Sequence, residues 1–122
     1  MEVSKEFKQL HTLIENRLSR FHWFVNNEGP QSPETISSFL ALCVQVDKAK
    51  EHADYGNEIS YYARRGDAEG LSGTFMAKMI GQVWSYGYIM VEHASTKNFE
   101  AIFGFALPQI ELDNGIVETL EA

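Results

Sequence analysis

The chain has 122 residues, 44% of them hydrophobic, and a net charge of −7 from seventeen acids against ten bases. That length fits one domain, with enough apolar surface to bury a core without metal or disulfide. The acidity, with bases clustered only at Arg17/Arg20 and Arg64/Arg65, argues against direct nucleic-acid binding.

No stretch approaches the ~20 apolar residues of a membrane span. The opening Met1-Glu2-Val3-Ser4-Lys5 lacks an apolar signal region behind a basic end. The single cysteine, Cys43, sits in an apolar run and has no partner for an internal disulfide. These features together set a cytoplasmic expectation.

The first predicted element runs from about Val3 to Asn26. Val3, Phe7, Leu10, Ile14, Leu18, Phe21 and Val25 recur at steps of three and four, a helical apolar stripe. Asn26-Asn27-Glu28-Gly29-Pro30 is a stop and a turn.

The second element, Ser32 to Gly66, is expected to be one long helix. Ser32 suits the N-cap, Pro33 the first helical position, and Glu34 the positive end of the dipole. Three stripes share it. Phe39, Leu42, Val46, Ala49, Ala53, Gly56 and Ser60 form the expected core seam, whose small half invites a close helix crossing. Asp47, Glu51, Asp54 and Glu58 form an acidic stripe. His52, Tyr55, Ile59 and Tyr62 form a third face of open assignment. The alternative is a break at Gly56, giving helices of about 33–54 and 57–65.

Residues 66–73 hold three glycines and read as a loop. A third long helix is predicted over 74–94, with Met76, Ile80, Val83, Gly87, Met90 and Ala94 on one seam and further apolar faces beside it. Such a helix is central to a bundle or meets a second chain. A short helix over 97–105 follows. Asp113-Asn114-Gly115 between apolar pairs signals a hairpin, with a helix over 116–120 as the alternative. The fold expected is all-α: a single-domain bundle (1–122) of three long helices plus one or two short C-terminal elements or a terminal hairpin.

No stretch names a reaction. His11 and His22 lie about 16 Å apart along one helix and cannot share an ion. There is no Glu-x-x-His pair of the di-iron bundles. His11, His52 and His93 are the one conceivable metal set, and a metal- or small-molecule-binding bundle built on them is the alternative function. Cys43 has no activating neighbours, there is no Gly-x-Ser-x-Gly, and the glycines after Gly66 follow a helix without Gly-Lys-Ser/Thr. The expectation is therefore a non-enzymatic protein with no cofactor and no resident metal.

What remains is an acidic stripe beside tyrosines, and tyrosine is enriched at interface hot spots. Asp47, Glu51, Asp54, Glu58, Tyr55 and Tyr62 are the predicted partner-binding residues, facing a basic, arginine-rich protein. In size, charge and helicity the chain resembles the small cytoplasmic inhibitors encoded by phages, mobile elements and toxin–immunity systems. That resemblance implies an inhibitor or regulator covering a basic, nucleic-acid-binding surface with carboxylates in place of phosphates. A self-associating structural subunit, its aromatic faces packed on a copy, is the remaining alternative.

Overall fold

The computed structural model describes residues 4–95 and 102, and among these every regular element is helical. In chain order the elements are α1 (Lys5–Glu28), α2 (Pro33–Lys50), α3 (Ala53–Arg64), α4 (Ala68–Ser72) and α5 (Phe75–Glu92). The all-α bundle expected from periodicity is what forms. The helix predicted over 97–105 and the C-terminal hairpin or helix lie outside the described residues, except Ile102, which is helical and buried.

The periodic stripe of α1 becomes its buried face. Phe7, Ile14 and Phe21, spaced by seven, are fully buried, and Leu10, Leu18 and Val25 pack at the margins. Ser4 starts the helix, its hydroxyl accepting from the Phe7 N–H at 3.2 Å. Gly29 ends it at φ 83°, a left-handed conformation that glycine adopts without strain, and donates its N–H to the Val25 carbonyl at 3.1 Å. The short turn folds α2 back along α1. There Thr35 is buried and donates its hydroxyl to the Gly29 carbonyl at 2.7 Å, fixing the hairpin.

One core cluster joins α1, α2 and α5. Phe39, Leu42, Cys43, Val46 and Ala49 come from α2; Met76, Met79, Ile80, Val83 and Met90 come from α5. Phe21 meets Phe39 at 5.4 Å and Tyr86 at 5.3 Å between ring centroids, so one side chain bridges three helices. Cys43 is a core side chain, and burial pushes its thiol far above the ordinary range, as an inert packing role requires.

The expected long second helix is broken, and the break falls at Glu51–His52 rather than at Gly56. The Glu51 and His52 N–H groups bond back to Lys48 and Ala49, tightening the last turn. His52 then adopts an extended conformation (ψ 138°), and its ring Nδ1 accepts from the Asp54 N–H at 3.1 Å. A histidine performs the capping role usually taken by serine or aspartate. Gly56 lies inside α3 with open space around it.

The break resets the helical phase. Ala53, Gly56 and Ser60, the expected continuation of the core seam, are exposed. Tyr55, Ile59 and Tyr62 turn inward instead, and Tyr55 packs on the core. The close helix crossing expected of these small residues does not form there.

The predicted loop over 66–73 contains α4. Asp67 caps it, accepting from the Gly70 N–H at 2.8 Å, and Leu71 is buried. Gly66 at φ 61° makes the turn into it. Thr74 then caps α5, accepting from the Ala77 N–H at 3.2 Å. No helix among the described residues is long and apolar enough to cross a membrane.

Candidate partner-binding surface

The six predicted partner-binding residues straddle the α2–α3 break, which divides them. Asp47, Glu51 and Tyr55 surround an open hollow of about 420 Å³, with Lys50 as the fourth wall. Glu51 is exposed and Asp47 is one-third exposed. The Lys50 side chain is largely shielded from solvent, and its ammonium sits 3.2 Å from Asp47 Oδ1. The hollow therefore presents two carboxylates, one turn apart, beside a tyrosine ring.

Asp54, Glu58 and Tyr62 have other surroundings. Asp54 Oδ2 accepts from the backbone N–H of Ser4 at 2.7 Å, tying the start of α1 to the start of α3. The hydrogen bonds from Ser4 hold the Asp54 carboxyl below the ordinary aspartate range. His52 Nδ1 lies 3.9 Å from Asp54 Oδ2. Since that nitrogen accepts the Asp54 N–H, the neutral ring carries its proton on Nε2, and the 3.9 Å approach is not a hydrogen bond.

Glu58 is half-buried, with Oε2 out of reach of solvent and without a hydrogen-bond partner. It borders the narrow crevice between α3 and α5 formed with Ile59, Met76 and Ile80. Burial, then the charge of Asp54, push its carboxyl above the ordinary range. Tyr62 lines the crevice between α3 and α4 with Asp67 and Leu71. The four carboxylates thus do not form the continuous ladder expected of one helix, and a phosphate-like repeat along it is lost.

The histidines are also separated by role. His11 stacks on Phe75 at 4.1 Å and meets Phe7 edge-on at 4.6 Å. Its Nε2 is buried without a hydrogen-bond partner, and burial lowers its pKa while Glu15 partly opposes the shift. His52 caps α3, and its ring centroid lies 5.3 Å from that of the same Phe7 ring. His93 is exposed just past the end of α5. Among the described residues no three His, Cys, Asp or Glu side chains gather as a metal site, so His11, His52 and His93 are not brought together.

Periodicity alone left three features unassigned. His22 Nε2 and the Tyr86 hydroxyl lie 2.6 Å apart, joining α1 to α5. Lys50 completes the hollow. Trp23 (57% exposed) on α1 and the adjacent Tyr88 (55%) and Ile89 (46%) on α5 remain on the surface. Comparison of the chain with protein families, with curated proteins and with solved structures finds no match.

Proposed function

We propose that this is a small, acidic, non-enzymatic helical protein that binds another macromolecule through the elbow between α2 and α3. The partner class is a protein with a basic, nucleic-acid-binding surface, and the role is that of an inhibitor or regulator, as in phage and mobile-element anti-defence or immunity proteins. The observation that carries this reading is the hollow formed by Asp47, Glu51 and Tyr55. A carboxylate such as Glu51 accepts a guanidinium through two parallel hydrogen bonds, Asp47 adds negative charge one turn away, and an adjacent tyrosine ring covers the flat face of the guanidinium. The net charge of −7 adds long-range steering toward a basic partner. Asp54 contributes by tying the start of α3 to the start of α1.

The test is affinity capture from the native host with the wild-type chain and with Asp47→Lys/Glu51→Lys. A basic protein retained by wild type and lost from the variant, at unchanged helical circular dichroism, supports the reading. Capture that is indifferent to the reversal sinks it.

Self-association is a second reading, favoured by the adjacent exposed pair Tyr88 and Ile89 on α5. Light scattering distinguishes it: a dimer dispersed by Tyr88→Glu/Ile89→Glu supports this reading, and a monomer at high concentration removes it.

A further inference from the structure

A second concavity lies at the other end of α2, where α2 runs beside α1. Its volume is about 390 Å³, within the range of small-molecule sites, and Arg17, Arg20, Phe24, Pro33, Glu34 and Ser37 line it. Arg17 and Arg20 are three residues apart on α1, so both guanidinium groups rise from one face of that helix. Among the described residues neither makes an ion pair, although the chain carries seventeen acids. Near the turn the Ser32 hydroxyl lies 2.6 Å from Glu34 Oε2 and 3.1 Å from Glu28 Oε2, and Glu34 lines the groove without forming an ion pair with either arginine. The two cations therefore line the concavity without an ion-pair partner among the described residues.

We propose that this groove binds a phosphorylated organic anion of the nucleoside monophosphate class. A phosphate dianion satisfies two guanidinium forks at once, which a single carboxylate does less fully. The Arg20 guanidinium carbon stands 5.7 Å from the centre of the Phe24 ring. That ring and Pro33 give a flat apolar body a wall to lie on, and cation and ring together suit a stacked aromatic group. Glu34, an acceptor at the same groove, takes a hydroxyl or amino donor of that body. The groove is lined by the N-terminal half of α2 and the elbow by its C-terminal end, so this site stands or falls separately from the protein-binding reading.

The test is calorimetry on the full chain with three probes: a nucleoside monophosphate, its uncharged nucleoside and inorganic phosphate. Saturable binding of the monophosphate is expected, at least about tenfold tighter than either fragment. Arg17→Gln/Arg20→Gln removes the cations, and Ser37→Trp fills the groove without touching them. Both are surface changes, and each is expected to abolish binding at unchanged circular dichroism. No binding of the monophosphate overturns the proposal. So does binding that survives both variants, or inorganic phosphate binding as tightly as the monophosphate.

Discussion

Asp54 accepts the backbone N–H of Ser4 at 2.7 Å, so a carboxylate at the start of α3 holds the first turn of α1 fifty residues away. The same Ser4 caps α1 through its hydroxyl, and the same Asp54 N–H is capped by His52. Two helix starts are thereby locked together. Asp54→Ala is expected to destabilise the protein and to raise amide exchange in the first turns of both α1 and α3. Because the folded-state carboxyl lies below its ordinary value, the stability it adds is present above about pH 3.9 and is lost as pH falls through the folded pKa. Urea midpoints of wild type and Asp54→Asn are therefore expected to converge in strong acid and to separate above pH 4.

Glu58 behaves in the opposite sense. Its pKa is raised by burial and by Asp54, so the unfolded chain releases the proton more readily than the native one. Stability is then lost as pH rises from about 4.3 through the folded pKa, and the penalty is full at neutral pH. Glu58→Gln keeps the shape and removes the charge. It is expected to raise the urea midpoint at pH 7 and to leave it unchanged near pH 3.5, where wild-type Glu58 is already protonated. A lower midpoint for the variant at pH 7 would show that the ionised carboxylate has a native partner.

The fates of Asp54 and Glu58 mark how far the sequence could be read. Hydrophobic spacing located α1, α2 and α5 and most of their buried residues, because a three-four repeat admits one helical phase. The phase is lost wherever the backbone resets it. Ala53, Gly56 and Ser60 continue the α2 seam in register, yet His52 stops that helix, and the three end up exposed. Glycine and proline are the usual signs of such a stop, and neither is present at Glu51–His52. A capping histidine two residues before an aspartate has no comparable signature. Asp47, Glu51 and Tyr55, which line the elbow hollow, are legible in the sequence as two acids and a tyrosine at steps of four. Which carboxylates face solvent and which are held inside depended on that one dihedral change.

Gly56 and Gly70 give opposite predictions for the same substitution. Gly56 is a helix-interior position with nothing within 4 Å of an added methyl group. Gly56→Ala is expected to stabilise the protein by up to ~1 kcal/mol through helix propensity. At Gly70 an added Cβ would lie 2.5 Å from both Asp67 Oδ2 and the Tyr62 ring. Gly70→Ala must displace the cap of α4 or the ring against it, with an expected loss of ~1–3 kcal/mol. Thermal unfolding of the two variants checks both signs, and stabilisation by Gly70→Ala would mean that α4 is not held against Tyr62.

His11 supplies a prediction in a third pH window. Its ring lies against Phe75 and Phe7, and its buried Nε2 has no hydrogen-bond partner. Protonation would place an unpaired charge between two aromatic side chains, so burial favours the neutral form and lowers the pKa, against a smaller opposing pull from Glu15. The unfolded chain takes up the proton first as pH falls. The neutral-ring stability is therefore full above about pH 6.5 and is lost progressively below it, down to the folded pKa. His11→Phe keeps an aromatic ring in the stack and cannot titrate. The difference in urea midpoint between variant and wild type is expected to grow in the variant's favour from pH 7.5 to pH 5.5. A pH-independent difference would mean that the imidazolium is accommodated, with Glu15 close enough to neutralise it.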